Sequence, residues 1–140
     1  MLKVLFVSSG NSENGISPIV KKQGESLINS GVDVGYFSII GKGLKGYLKN
    51  VIPLKKHIRQ HPYDLIHAHY SFSAFTATLA GCKPLVVSLM GSDSRPDFIS
   101  KAAIRVSSFF SGTILFLNQK TCAKTLGSRT MRLFRMGLIR

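Results

Sequence analysis

KVLFVSSGNSENG, residues 3–15, decides the fold: a compact apolar run is followed by a polar loop that contains two glycines. An apolar run of this length is typical of a strand buried on both faces, as in a parallel sheet. A helical pattern comes next, with Ser17 and Pro18 suited to the N-cap and first helical positions and Gly31 to the carboxyl end. The apolar residues expected on the inner face of this helix are Ile16, Ile19, Val20, Leu27 and Ile28.

The strand and helix patterns alternate along the rest of the chain. Further strands are predicted over Val32–Ile40, Asp64–His69, Pro84–Met90, Thr113–Leu117 and Thr130–Phe134. Further helices are predicted to begin at Pro53 and to cover Phe72–Ala80, Phe98–Phe110 and Gln119–Leu126. Gly41, Gly43 and Gly46 indicate a loop, and Leu54 and Ile58 should face inward. This order predicts one Rossmann-like α/β domain over residues 1–140, a three-layer unit with a mainly parallel sheet between helices.

The charge balance is strongly basic. Of the 140 residues, 44% are hydrophobic and 18% charged, which suits a globular core. Nineteen Lys and Arg oppose six Asp and Glu, giving +13, and no acid occurs between Asp33 and Asp64 or after Asp97. Such a surface attracts nucleic acid, anionic lipid headgroups or phosphate-bearing substrates, unless it is simply a solvated face.

Cysteine spacing and hydropathy bear on the cellular compartment. Cys82 and Cys122 have neither metal-type spacing nor a CxxC arrangement, which indicates free thiols in a reducing cytosol. The run Val4–Val7 is too short for a signal-peptide core, and no apolar run reaches the ~18 residues of a spanning helix. We therefore expect a cytoplasmic protein, with peripheral attachment to the inner face of the membrane left open.

Ligands of such sheets bind outside the carboxyl ends of the strands, where the first loop, Gly10 to Gly15, leads into a helix. The free N–H groups of a helix N-terminus favour an anion, whereas an ordinary glycine turn is the alternative. This loop contains neither GxGxxG nor a P-loop Gly-Lys-Ser/Thr. The loop is therefore a candidate phosphate contact without a specific nucleotide motif.

Two later loops carry polar candidates. His67 and His69 are two residues apart, so a strand directs both to one face, with His69 nearer the cleft. They lack a third ligand for zinc, which leaves structural hydrogen bonding or contact with a polar substrate. Gly91, Ser92 and Asp93 follow the fourth strand, where a carboxylate can bind sugar hydroxyls or cap the next helix. No DxD metal motif and no GxSxG nucleophile motif is present.

Taken in order, these segments resemble the N-terminal domain of family-4-like glycosyltransferases, in which two facing Rossmann-like domains form the GT-B fold. The resemblance rests on KVLFV (3–7), Asn14-Gly15 with the later Gly31, YDLIHAHY (63–70) and PLVVSLMGSD (84–93). It implies that a nucleotide-sugar is the donor substrate and that no cofactor or metal is needed. The residues implied to face the donor phosphates are Gly10, Asn14 and Gly15. Those implied on the acceptor side are His67, His69, Gly91, Ser92 and Asp93, of which His69 and Asp93 are candidates for a catalytic role.

Three features depart from the family pattern. Many members have Gly-Gly where this chain has Asn14-Gly15, and many have His where this chain has Met90. The E-x7-E motif of the donor-binding domain has no counterpart, and residues 132–140, RLFRMGLIR, resemble the crossing into that domain. The resemblance thus implies an acceptor-side half whose C-terminal donor-binding domain is absent and which is inactive alone.

The resemblance implies transfer of a sugar, with retention, to a polysaccharide or glycolipid acceptor in cell-surface polysaccharide biosynthesis. The implied partners are a glycan or lipid-linked acceptor, an anionic membrane surface near Lys42 to Arg59, and a second chain carrying the donor domain. The alternative is a non-catalytic accessory or binding module, a split subunit or truncated gene product, which the reading frame after Arg140 would distinguish. Nucleic-acid binding rests on charge alone, because neither interleaved aromatics on a strand nor a recognition helix is found.

Overall fold

A computed structural model describes residues 1–13 and 15–88 and the backbone of 114–117. Within this part of the chain the strands are β1 (Lys3–Ser9), β2 (Asp33–Ile39), β3 (Leu65–His69), β4 (Leu85–Ser88) and β5 (Ile114–Leu117). The helices are α1 (Pro18–Asn29), α2 (Gly43–Lys49), α3 (Val51–Gln60) and α4 (Ser71–Leu79). All four described strand pairs are parallel, in the order β2-β1-β3-β4-β5, which confirms the predicted α/β Rossmann-like class.

The side chains of β1 alternate between two hydrophobic clusters, one on each face of the sheet. Val4 and Phe6 are buried with Val20 of α1, on what we call the α1 face. Leu5 and Val7 are buried on the opposite side, the α4 face, with Leu54 of α3 and Ala74 and Ala77 of α4. Each fully buried aliphatic or aromatic side chain contributes about 1.5–3 kcal/mol to folding. The helices thus cover both faces of the sheet, as predicted from the alternating patterns.

Helix α1 packs less of its apolar surface than predicted. Val20 and Gly24 are buried, and Leu27 packs against the same cluster. Ile19 and Ile28, by contrast, are 60% and 48% exposed, so their predicted inward orientation is wrong. The helix lies close to the ring of Tyr36, whose hydroxyl is 1.9 Å from where a Cβ on Gly24 would be. Because α1 contacts the sheet through Gly24, Ile19 lies to one side of the contact and Ile28 lies beyond it, in the last turn of the helix.

The glycine-rich segment after β2 is a helix, where a loop was predicted. Gly43 begins α2 and Gly46 lies within it, although glycine is a poor helix former. A Cβ on Gly46 would lie only 2.4 Å from the carbonyl carbon of Gly41, so α2 and the end of β2 touch backbone to backbone. Tertiary contact therefore overrides the local propensity. The predicted helix near Pro53 begins slightly earlier, at Val51, and buries Leu54 as expected, with Ile58 packed against the same cluster.

The later elements follow the predicted order as far as they are described. Helix α4 spans Ser71–Leu79 against a predicted Phe72–Ala80, and β5 falls within the predicted Thr113–Leu117. Strand β4 begins after a cis Lys83–Pro84 bond. The predicted Phe98–Phe110 and Gln119–Leu126 helices and the Thr130–Phe134 strand lie outside the described residues. In the part of the chain that is described, no helix is long and apolar enough to cross a membrane.

Candidate functional site

The strand order reverses between β1 and β3, and this switch point is where parallel α/β sheets bind ligands. From the carboxyl end of β1 the chain crosses to α1 on one face, and from that of β3 it crosses to α4 on the other. The two loops therefore separate, and a crevice forms between them. The residues at this edge are the candidates for a site.

The loop after β1 begins with a glycine that has no room for a side chain. The N–H of Gly10 donates to the carbonyl of Ile39 at 2.8 Å, which extends the pairing of β1 with β2. A Cβ on Gly10 would lie 2.8 Å from the Cβ of Ser38. Gly10, predicted to face donor phosphates, is therefore also required by the packing of the sheet edge.

Asn11 ties this loop to the loop after β2, a role that the sequence analysis missed. Its Nδ2 donates to the carbonyl of Gly41 at 2.8 Å, and its Oδ1 accepts from the Gly41 N–H at 2.9 Å. The same amide also bonds the Ser9 hydroxyl at 3.1 Å. The Asn11 side chain thus continues the hydrogen bonding between β1 and β2 beyond the ends of the two strands. The only sequence feature that indicates this role is an Asn directly after the glycine that follows β1.

The end of the loop leaves the N-terminus of α1 open. Gly15 has φ +76 and donates its N–H to the carbonyl of Ser12 at 2.9 Å, while the Ser12 hydroxyl donates to the Gly15 carbonyl. Ser17 is the N-cap and Pro18 the first helical residue, as predicted, yet the Ser17 side chain makes no capping hydrogen bond. The first-turn N–H groups therefore have no side-chain cap, which suits an anionic ligand. Asn14 lies outside the described residues.

His67 is a buried histidine with a hydrogen-bond partner. Its Nε2 lies 2.7 Å from the hydroxyl of Ser88 on β4, and its ring meets Phe6 edge to face at 4.9 Å between centroids. Burial lowers the pKa of His67 to about 4, so the ring is neutral at pH 7. Ser88, which the sequence analysis gave no role, fixes this ring on the α1 face.

His69 is fully buried, and neither ring nitrogen has a hydrogen-bond partner among the described residues. Its ring stacks on His67 with centroids 4.3 Å apart and contacts Phe6 edge to face at 4.7 Å. Burial, and secondarily the neighbouring His67, lower the pKa of His69 to about 3. Buried polar atoms almost always have partners, so the two unpaired nitrogens make His69 a candidate for contact with a ligand or a buried water. A neutral imidazole can both donate and accept a hydrogen bond.

The junction of β3 with α4 has an unusual backbone and a second unpaired polar group. Tyr70, the N-cap of α4, has φ 75 and ψ 153, a region that is essentially reserved for glycine. Its N–H donates to the Ser88 carbonyl at 3.0 Å. The hydroxyl of Ser73, in the first turn of α4, is buried without a partner among the residues described. Backbone strain of this kind clusters at binding sites. No sequence pattern predicts the strained backbone of Tyr70.

The structure brings together only some of the predicted site residues. Phe6 pairs with His67 and Val7 with Ala68, so His69 lies one residue further along, beside the end of β1 from which Gly10 follows. The histidine pair and the glycine loop therefore share one edge. Gly91, Ser92 and Asp93, with Met90, lie outside the described residues. Within the described ranges, no group of three or more His, Cys, Asp or Glu side chains could hold a metal ion.

Comparison with known proteins identifies the family. The model of Glycosyltransferase Family 4 matches residues 15–117, a range that contains the histidine pair, Tyr70 and Ser88 and begins at Gly15. No curated protein matches the chain. Since the matched range is well over half of the 140 residues, the chain belongs to glycosyltransferase family 4.

Proposed function

We propose that this chain forms the acceptor-side half of a transferase that moves a sugar from a nucleotide-sugar to a polysaccharide or glycolipid acceptor of the cell surface. Family membership supports the reaction class. The observation that carries the proposal is the buried, unpartnered ring of His69 at the switch point of the sheet. A buried imidazole with two unused nitrogens suits a ligand rich in hydroxyl groups.

On the acceptor side, His69 binds and orients the hydroxyl that attacks. Its pKa of about 3 keeps the ring neutral at pH 7, so one nitrogen can accept the hydrogen bond of that hydroxyl. The acceptor oxygen forms a bond to the anomeric carbon, the bond to the diphosphate breaks, and the hydroxyl proton leaves with the diphosphate or to water. His67 holds the His69 ring by stacking, and Gly91, Ser92 and Asp93 complete the acceptor side in this proposal.

On the donor side, Gly10, Asn14 and Gly15 face the diphosphate together with the N-terminus of α1. The position of this N-terminus, at the end of the loop that follows β1, supports this assignment, because first-turn N–H groups can bind phosphate oxygens. Asn11 supports it indirectly, since its two bonds to Gly41 hold the loop at a fixed height above the sheet. Hydrogen-bond donors held in position in this way stabilise the leaving diphosphate without having to reorient during the reaction.

The proposal includes a second, donor-binding domain supplied outside these 140 residues, and it includes retention of the anomeric configuration. In this proposal the described edge contacts the acceptor and the donor phosphates, and the second domain binds the nucleoside. The 140-residue chain should therefore be inactive by itself. Its place in the cell is the cytoplasm, at the inner face of the membrane where lipid-linked acceptors lie, with the basic residues from Lys42 to Arg59 toward the lipid.

The test is a transfer assay with and without a donor-binding domain. We expect the purified 140-residue chain to release no nucleoside diphosphate from a panel of nucleotide-sugars, and the chain joined to a family-4 donor domain to transfer sugar. In that joined protein, His69→Gln should lower kcat/KM by about 2- to 13-fold, as expected for loss of a hydrogen bond between neutral groups of about 0.5–1.5 kcal/mol.

His61→Gln is the matched control, because His61 is exposed on the surface after α3. It should leave kcat/KM unchanged. Efficient transfer by the 140-residue chain alone would refute the two-domain requirement. A kcat/KM unchanged by His69→Gln would remove this residue from the acceptor site, and no transfer in the joined protein would favour a binding module.

A further inference from the structure

Four large apolar side chains form an exposed stripe at a spacing of four residues. Ile40, Leu44, Leu48 and Ile52 are 71%, 46%, 44% and 79% exposed. Leu44 and Leu48 share a face of α2, because residues four apart on a helix lie on the same side. Ile40 precedes α2, and Ile52 lies in the first turn of α3, which Asn50 (φ −86, ψ −4) joins to α2. We call these four side chains the exposed stripe. A row of this kind differs from the single exposed apolar residues that are common on protein surfaces.

Backbone contacts hold the stripe as one unit. The Asn50 side-chain amide donates to the carbonyl of Ile40 at 2.9 Å and to that of Gly46 at 2.7 Å. Gly46 also touches the backbone of Gly41, which leaves no space for a Cβ on either residue. The end of β2, the whole of α2 and the start of α3 are thus fixed relative to one another.

Cations flank the stripe on both helices. The exposed basic residues of this segment are Lys42, Lys45, Lys49, Lys55, Lys56 and Arg59. No acid occurs between Asp33 and Asp64, so none within the segment neutralises them. We call the stripe and these six residues the α2–α3 surface.

Helix α1 offers a contrast within the same molecule. It also exposes two isoleucines, Ile19 and Ile28, but they are nine residues apart and do not form a row. Lys21 and Lys22 of α1 have the acidic Glu25 on the same helix. Apolar side chains and uncompensated cations coincide on the α2–α3 surface and not on α1.

We propose that the α2–α3 surface docks the protein on an anionic lipid bilayer. Ile40, Leu44, Leu48 and Ile52 enter the boundary between headgroups and acyl chains, and the long lysine side chains reach the phosphates around them. The basic residues are attracted by the negative potential of the leaflet, and the apolar stripe supplies attachment that salt does not screen. This extends the membrane location proposed above by naming the docking face, and its test involves no sugar transfer.

The combination of stripe and charge favours a bilayer over two other occupants. A nucleic acid would bind the lysines but offers no apolar phase for Ile40 and Ile52. A second copy of the chain would bring two strongly basic surfaces together, which like-charge repulsion opposes. A bilayer with anionic headgroups satisfies both features at once.

The chain contains no tryptophan, so a single introduced tryptophan reports its own surroundings. Leu48→Trp places the reporter on the stripe, and Ile28→Trp places the matched reporter on α1. With vesicles of equimolar phosphatidylcholine and phosphatidylglycerol, we expect a blue-shifted emission from Leu48→Trp and none from Ile28→Trp. Vesicles of phosphatidylcholine alone should bind at least about tenfold more weakly, because the electrostatic attraction is missing.

Two pairs of lysine substitutions, each of which removes two positive charges, test the electrostatic part of vesicle binding. Lys45→Gln/Lys49→Gln should lower binding to the anionic vesicles about 20-fold, since each basic residue near the surface contributes about fivefold. Lys21→Gln/Lys22→Gln on α1 should lower it less than about threefold. Leu44→Gln/Leu48→Gln/Ile52→Gln should abolish the binding that persists at high salt. Circular dichroism and a cooperative urea transition verify that each variant is folded.

Four results would overturn the proposal. The first is an unshifted emission spectrum of Leu48→Trp on vesicle-bound protein, and the second is an equal loss of vesicle binding for the two lysine pairs. The third is binding to duplex DNA that is tighter than binding to vesicles and that Leu44→Gln/Leu48→Gln/Ile52→Gln does not change. The fourth is a dimer that forms without lipid and that the same triple variant dissociates. If an apolar variant fails to fold, the two tryptophan reporters still decide the matter. A failed transfer assay would leave vesicle binding intact, so the two proposals can fail separately.

Discussion

On the α4 face, β3 buries Ile66 and Ala68, and on the α1 face the same five-residue strand buries His67 and His69. The apolar pair packs against α4 with no polar atom to satisfy. The histidines lie within ring contact of Phe6, where every unpaired nitrogen costs free energy. Along β3, the side toward α4 therefore serves packing alone, whereas the side toward α1 carries the polar atoms of the candidate site.

The largest effect is expected on the α4 face. Leu54→Ala should lower the free energy of unfolding by about 2–5 kcal/mol, because a fully buried side chain leaves a cavity that the surrounding core fills only partly. Ile52→Ala in the same helix is the matched control and should change it by less than about 0.5 kcal/mol, since Ile52 is 79% exposed. Urea denaturation without lipid measures both. Equal losses would show that this face has no tightly packed core.

Acid should weaken the α1 face specifically. The unfolded histidines bind protons below pH 6.5, whereas folded His67 and His69 do so only near pH 4 and pH 3. The unfolded state therefore binds more protons in this window, and the free energy of unfolding falls as the pH falls. The slope for each histidine rises from about half of 1.4 kcal/mol per pH unit at pH 6.5, where the unfolded ring is half protonated, toward about 1.4 at pH 5. The pair therefore loses about 3 kcal/mol between pH 6.5 and 5.

Urea midpoints measured across this range check the slope. His67→Leu/His69→Leu should flatten most of it, and Ile52→Ala, which removes no titratable group, should leave it unchanged. The pKa of His57 is also lowered, chiefly by burial and then by the neighbouring His61, so a smaller slope remains in the double variant. An unchanged slope after removal of the pair would mean that the rings are not buried in neutral form.

The smallest predicted effect separates the two histidines from each other. His67→Leu leaves the Ser88 hydroxyl without its described partner and should cost about 1–3 kcal/mol. His69→Leu removes nitrogens that have no partner in the described part of the chain, so it should be neutral or slightly stabilising. Adding Ser88→Ala to His67→Leu should restore part of the loss in a double-mutant cycle. Equal costs for both leucine variants would mean that His69 has a structural partner.

Much of the architecture follows from local patterns. The apolar runs at β1, β3, β4 and β5 were predicted within a few residues, because a strand buried on both faces is apolar throughout. The shared face of His67 and His69 was also predicted, since side chains alternate along any strand. Helix α2 was not, because its glycines are unfavourable locally and are required only by the contact of Gly46 with Gly41.

The position of the candidate residues in the sheet was predicted from the sequence, but their contacts were not. Gly10 and His69 were placed at the carboxyl edge because the sheet class fixes where ligands bind. The partner of Asn11 lies 30 residues away and that of His67 lies 21 residues away, so neither appears in any local window. The backbone of Tyr70, likewise, depends on how α4 turns back onto the sheet, and a tyrosine in sequence does not report it.

By itself, the sequence determined the alternation of the described strands and helices apart from α2, the parallel α/β class, the glycine loop after β1 and the shared face of the histidine pair. These are consequences of periods of two and 3.6 residues and of glycine at turns, all of which act over a few neighbouring residues. Only the tertiary structure decided that His67 is satisfied and His69 is not, that Gly46 belongs to a helix, and that Ile40, Leu44, Leu48 and Ile52 remain exposed. Burial and hydrogen-bond satisfaction depend on which distant segments meet, and that is known only once the chain has folded.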